Sequence, residues 1–130
     1  MDNAQESSPP KAHILFVDDE ESLTELSKLR LEGLGYSVSI FTESPRALAA
    51  FQKNPQQFDA VITDLTMPQL NGLQLACIVH ELRPQMPIVL CTGDCSAYSD
   101  TEIKACGIQE VILKPVLKKD WALLLHRVIG

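Results

Sequence analysis

The stretch AHILFVDDEESLTELSKLRLEGLGYSVSIF, residues 12–41, decides the fold. It opens with a six-residue apolar run, Ala12 to Val17, too short for a helix and bounded by Asp18 and Asp19. Helical spacing follows, predicting a helix that starts near Glu20 or Glu21, turns Leu23, Leu26 and Leu34 inward, and stops around Gly33 or Gly35. A second strand-like run, Tyr36 to Phe41, closes a strand-helix-strand unit. The alternation continues outward from there, with strand-length runs at DAVIT (59–63), PIVLCT (87–92) and EVILK (110–114). A second helix is expected from Ser44 with Pro45 in its first turn, its Leu48 and Phe51 on the sheet. A third follows Gly72, with Leu73, Ala76, Val79 and Leu82 inward, and ends before Pro84. Ser99 and Glu102 have the spacing of a capping box for a fourth helix, which Gly107 ends. Leu117, Trp121, Leu124, Leu125 and Val128 form the apolar stripe of a fifth.

Strands that alternate with helices join through right-handed crossovers and are therefore parallel. The expectation is an α/β fold with a doubly wound five-stranded parallel sheet in the order 2-1-3-4-5. Its topological switch point lies between strands one and three, and ligands of such sheets bind at the carboxyl ends of the strands there.

Composition narrows the function classes. The 130 residues carry 17 acids against 11 Lys and Arg, a formal charge of −6, which argues against a surface for nucleic-acid phosphates. With 45% apolar residues the chain can bury a core without metal or disulfide. The polar start MDNAQESSPPK has no apolar stretch of signal-peptide type, and no run is long enough for a bilayer, so a cytoplasmic protein with no direct membrane contact is expected. Residues 1–11 read as a disordered lead or linker and 12–130 as one domain. Cys77, Cys91, Cys95 and Cys106 show no C-x-x-C pair, so they are read as small apolar residues and not as a zinc site or disulfide framework, with Cys95 the most exposed.

The chemistry gathers at one rim. Strand one ends in Asp18 and Asp19, strand three in Asp64, strand four in Thr92 and strand five in Lys114. Neighbouring strands lie about 4.8 Å apart, which brings Asp18 and Asp19 close to Asp64. Two carboxylates roughly 5 Å apart repel by about 3 kcal/mol at an effective dielectric of 20, so a raised pKa or a compensating cation is expected. Carboxylate and carbonyl donors without His or thiolate favour Mg2+ over zinc. Asp19 and Asp64 are expected to bind it directly, the Thr66 backbone carbonyl to add a third ligand, and Asp18 to act through a water. Lys114 and the Thr92 hydroxyl would meet phosphoryl oxygens, Gly93 would leave the approach open, and the Asp64 carboxylate would be the nucleophile.

The motifs VDDE, DLTMP followed by Gly72, CTG around Thr92 and KP at Lys114–Pro115 resemble the receiver domain of bacterial two-component response regulators. The resemblance spans Ala12 to Gly130 and implies a flavodoxin-like (βα)5 three-layer sandwich. It implies a phosphorelay phosphoacceptor that takes a phosphoryl group onto Asp64 from a sensor histidine kinase or a histidine phosphotransfer protein, with Mg2+ required. Such a domain promotes its own phosphotransfer and dephosphorylation and turns over no metabolite. The resemblance also implies that Thr92 reorients on phosphorylation and that Lys114 and Pro115 are joined by a cis peptide bond. Receivers often carry an aromatic residue three positions before the lysine. Val111 stands there, so coupling through an aromatic switch is not expected.

Taken singly, these residues read as strand ends and turns, and only their joint placement gives them chemistry. An aspartate-nucleophile phosphatase would want an acid where Thr66 stands, and a flavin binder would want a phosphate-cradling loop where VDDEES stands. A degenerate receiver serving as a phosphorylation-independent interaction module is the alternative, and exposed residues of helices four and five leave a homodimer open. The chain reads as a single-domain regulator or as the receiver of a larger kinase or regulator. The Ser and Pro rich lead, TGD and KPV are similar to receivers of hybrid sensor kinases.

Overall fold

The structure, a computed structural model, describes residues 12–94 and 96–129, so the expected lead and the expected exposure of Cys95 lie outside the described residues. Five parallel strands, β1 (His13–Val17), β2 (Ser37–Phe41), β3 (Ala60–Asp64), β4 (Ile88–Thr92) and β5 (Ile108–Leu113), form one sheet in the order β2-β1-β3-β4-β5. The helices are α1 (Glu21–Gly33), α2 (Ser44–Lys53), α3 (Gly72–Leu82), α4 (Asp100–Ala105) and α5 (Lys118–Ile129), with a 3-10 turn at Pro55–Gln57. This is the expected doubly wound sandwich.

Alternation along the strands sorts the core into two layers. Leu15, Val17, Val61, Ile88 and Leu90 pack against Ala47 and Phe51 of α2, Leu75, Ala76 and Val79 of α3, and Ile103 of α4. Ile14, Phe16, Ile62, Val89 and Cys91 face Leu31 of α1 and Trp121, Leu124 and Leu125 of α5. Trp121 is buried and its ring meets Phe16 edge-on at 6.0 Å. β3, buried at every position, lies at the centre of the sheet and carries Asp64 at its end.

Several local expectations need correction. β5 begins two residues earlier than expected, because a register shift pairs Ile88 with Ile108 and Val89 with Glu110, and Gln109 is the extra residue. Ser44 is the first residue of α2, as expected. Its hydroxyl donates to the Leu70 carbonyl at 2.5 Å and ties α2 to the loop after β3. Three leucines expected inside are exposed: Leu26, Leu82 and Leu117. On α1 the buried line is Thr24, Ser27 and Leu31, because the polar residues lie beneath the helix where α5 and the β5–α5 loop approach, and Arg30 donates to the Val116 carbonyl there. Leu117 precedes α5, where its N–H is capped by Asp120.

The largest correction concerns the cysteines. Cys77 on α3 and Cys106 after α4 form a disulfide with 4.2 Å between their Cα atoms. They lie 29 positions apart, and only the packing of α3 beside α4 joins them. Cys91 is free and buried, as expected.

Candidate functional site

Each rim residue is placed by a strand end. Asp18 follows β1, and its N–H still donates to the Phe41 carbonyl of β2, which carries sheet pairing one residue past the strand. Its side chain turns under the start of α1, where Oδ1 accepts from the Glu20 N–H at 3.0 Å. This local bond competes with strand continuation and starts the helix without a side-chain cap at Glu20. Asp19 is exposed, whereas Asp18 is 2% and Asp64 8% exposed. One carboxylate oxygen from each of the three lies within 4.8 Å of the others, the cluster expected from strand spacing.

Lys114 crosses β4 to reach these acids. Its backbone N–H donates to the Thr92 carbonyl at 2.9 Å, and the cis Lys114–Pro115 bond follows, as the motif implied. Its Nζ lies 2.9 Å from Asp18 Oδ2 and 3.2 Å from Asp64 Oδ1. Burial would lower the pKa of this ammonium, but the two carboxylates outweigh burial and hold it above the ordinary lysine value. Asp64 is pushed above the ordinary carboxylate range, chiefly by burial and then by Asp18, against the pull of Lys114 and the Leu65 N–H. The like-charge repulsion anticipated from strand spacing is thus real, but burial leads. Cys91, one residue before Thr92, has its thiol pushed up to about 12 by burial and stays protonated.

The two oxygens of Asp64 are not equivalent. Oδ1 accepts from the Leu65 N–H at 2.9 Å and pairs with Lys114. Oδ2 has no hydrogen-bond or ion-pair partner among the described residues. Behind Asp64 the start of α3 comes so close that a Cβ at Gly72 would stand 2.0 Å from the Asp64 carbonyl oxygen, and the Gly72 N–H donates to the Leu65 carbonyl. Gly72 therefore acts through close approach. The loop between them holds Gln69 in the left-handed region at φ 70°. Thr66 lies on the exposed side of that loop, two residues after Asp64.

Thr92 is buried, and its hydroxyl is engaged with its own loop, donating to the Asp94 carbonyl at 3.1 Å and accepting from the Asp94 N–H. A Cβ at Gly93 would meet nothing within 4 Å, so the approach past this loop is open. Asp94 is held below the usual carboxylate range by hydrogen bonds from Ser96. Val111, in the aromatic-switch position, is half-buried against the α2–α3–α4 layer.

Sequence reasoning found the five rim side chains and missed the contacts that orient them. The Asn71 capping box with Gln74 carries a readable signal, Asn-x-x-Gln before an apolar run, whereas the bond from Asn71 to the Tyr98 hydroxyl carries none. The donor set is all hard oxygen, clustered and partly buried, and it suits a divalent cation with oxygen ligands.

Residues 14–126 match the family model of the response regulator receiver domain. The chain is 34% identical over 107 residues to the transcriptional regulatory protein GlrR of Escherichia coli K12, covering 82% of this chain and 24% of that protein. It is 32% identical over 108 residues to the sensor protein EvgS of the same strain, covering 83% of this chain and 9% of EvgS. Among solved structures, a response regulator receiver domain protein from Clostridium thermocellum superposes with a TM-score of 0.85 at 30% identity, covering 91% of this chain and 94% of that one. The chain thus spans about a quarter or less of the curated relatives it matches, and all of these similarities fall on the unit that carries the acidic rim. This chain belongs to the response regulator receiver domain family, the phosphoacceptor domains of two-component signalling.

Proposed function

We propose that Asp64 is the phosphoacceptor and that Asp18, Asp19, Thr92 and Lys114 serve its phosphorylation. The observation that carries this reading is the asymmetry of the Asp64 carboxylate, with Oδ1 held by Leu65 and Lys114 and Oδ2 without a partner. Oδ2 is then the attacking atom. It forms a bond to phosphorus as the bond from phosphorus to the donor imidazole nitrogen breaks, and the departing imidazole takes up a proton. Lys114, already against Oδ1, neutralises charge on the acyl phosphate. Thr92 must leave its hydrogen bonds with Asp94 before its hydroxyl can meet a phosphoryl oxygen, which makes the backbone at Asp94 responsive to the state of Asp64.

Mg2+ suits the cluster, with Asp18, Asp19, Asp64 and the Thr66 carbonyl as its holders, and when bound it offsets the negative charge of carboxylates and phosphoryl oxygens. The donor is a sensor histidine kinase or a histidine phosphotransfer protein in the cytoplasm. Exposed Leu26 and Leu29 on α1, beside a cavity of about 440 Å3 lined by Phe16, Leu23, Arg30 and Trp121, give such a donor an apolar surface next to Asp18 and Lys114. The receiver covers 24% of GlrR and 9% of EvgS, which fits a role as one module of a signalling system. Among the described residues no helix is long and apolar enough to cross a membrane.

Intact mass after incubation with acetyl phosphate tests the assignment. One phosphoryl adduct that needs Mg2+ and is lost in Asp64→Asn is the expected result. An adduct retained in Asp64→Asn overturns it, and no adduct from either acetyl phosphate or a phosphohistidine donor would leave the interaction-module reading.

A further inference from the structure

The phosphoacceptor chemistry makes no use of the Cys77–Cys106 disulfide. The bond ties two helices that continue from opposite sides of the site. α3 follows Asp64 through the loop 65–71, and α4 follows Thr92 through the loop 93–99. The two helices are anchored very differently. α3 has eleven residues, four of them buried, and a complete capping box. α4 has a capping box of its own, Ser99 with Glu102, but only six residues, of which it buries only Ile103. A helix of that length has little stability of its own and depends on tertiary attachment. Its attachments are Ile103, Cys106 just past its end, and Tyr98 just before it, which packs on the core and accepts a hydrogen bond from the Asn71 side chain.

The disulfide is also reachable. Leu70, Leu73, Gln74, Cys77, Ile78 and Cys106 line a shallow surface groove. Cys77 is half-buried there, while Cys106 is 7% exposed, so an incoming thiolate meets the Cys77 sulfur first. The other described cysteine, Cys91, is buried in the opposite layer of the core and is not placed to compete. The core is continuous on both faces of the sheet, so the fold does not need the crosslink in order to form.

We propose that Cys77 and Cys106 are a reversible thiol–disulfide modification site, opened in the folded protein by a dithiol reductant, whose state sets the order of α4. A thiolate of the dithiol attacks the Cys77 sulfur, the bond between Cys77 and Cys106 breaks, and the Cys106 sulfur leaves as a thiolate that takes up a proton. The second thiol, after losing its proton, attacks the mixed disulfide and releases Cys77, so the protein gains two electrons and the reductant becomes a disulfide. Opening the crosslink removes one of these tethers and leaves Ile103 and Tyr98 to hold α4, which lowers the cost of local opening between residues 100 and 106. The inference does not rest on the role of Asp64, since it concerns sulfur chemistry and backbone order alone.

The test uses the full chain, oxidised with glutathione disulfide and then treated with dithiothreitol without denaturant. Peptide mapping should show residues 77 and 106 linked before treatment and both alkylated after it. Reduction should run at least tenfold faster than global unfolding measured in parallel. Amide exchange within 100–106 should then speed up about tenfold or more, with the amides of β1 and β3 much less affected. Cys77→Ser should have the fast exchange of the reduced form and no response to reductant, and Cys91→Ser should respond as wild type does. Absence of the 77–106 link, reduction only at the rate of unfolding, or unchanged exchange in 100–106 on reduction would each overturn the proposal.

Discussion

Replacing Lys114 by methionine keeps an unbranched side chain one atom shorter and deletes the charge between Asp18 and Asp64. At an effective dielectric of about 20, the 2.9 Å and 3.2 Å contacts correspond to attractions of about 5–6 kcal/mol each. The two carboxylates, within 4.8 Å of each other, repel by about 3–4 kcal/mol. The wild-type ammonium loses part of its attraction to its own desolvation, and 24% of its side chain remains exposed, so the net effect is smaller than the Coulomb figures. Lys114→Met should therefore unfold about 2–4 kcal/mol more easily at pH 7, with an unchanged urea dependence. The sign of the pH dependence follows from Asp64. Its folded pKa is already raised in wild type and rises further without the lysine, so the folded variant takes up a proton as the pH falls through that value. The deficit should shrink from pH 7 toward pH 4, and Mg2+ should restore more stability to the variant than it adds to wild type. Urea midpoints at several pH values, with and without Mg2+, measure all three effects. Equal stability of the two proteins at pH 7, or a deficit independent of both pH and Mg2+, refutes the account of the rim as a charge cluster balanced by Lys114.

Other substitutions probe the same site from different sides. A raised folded pKa means that Asp64 costs stability once the pH has risen through it, so Asp64→Asn should be at least as stable as wild type at pH 7, by up to about 1 kcal/mol, and the advantage should vanish near pH 4 in urea titrations. Gly72→Ala drives a methyl into the Asp64 carbonyl and should cost about 1–3 kcal/mol in urea unfolding, along with slower phosphorylation by acetyl phosphate. Gly107→Ala meets both a backbone at φ 80° and the His80 ring, whose Nδ1 would stand 2.3 Å from the added Cβ, and a comparable loss of about 2–3 kcal/mol should appear as a lower thermal midpoint. Asn71→Ala removes the capping box of α3 and its bond to Tyr98, for about 1 kcal/mol in the same assay.

The fold could be read from residue periods. Short β-branched runs located the five strands, apolar spacings near 3.6 and a capping-box spacing located the five α-helices, and glycines set two ends, with Gly35 and Gly107 both at positive φ. Errors arose where period and burial part company. Leu26 and Leu82 keep helical spacing yet face solvent, because which arc of a helix is covered depends on the neighbours laid against it, and on α1 that arc holds Thr24 and Ser27. The start of β5 was misplaced because one extra residue, Gln109, breaks the alternation that marks a strand.

What the sequence determined by itself is the identity and order of the groups at the rim. A parallel α/β sheet delivers every strand end to one side, so Asp18, Asp19, Asp64, Thr92 and Lys114 meet wherever such a chain folds this way. Tertiary structure decided how they meet. Lys114 bonds most closely to Asp18 and spans to Asp64, one oxygen of Asp64 is held while the other is left for chemistry, and Thr92 is turned into its own loop. It also joined Cys77 to Cys106 across 29 residues. Period and spacing are properties of neighbours along the chain, whereas hydrogen-bond direction, burial and sulfur proximity belong to groups far apart in sequence, which only packing brings within reach.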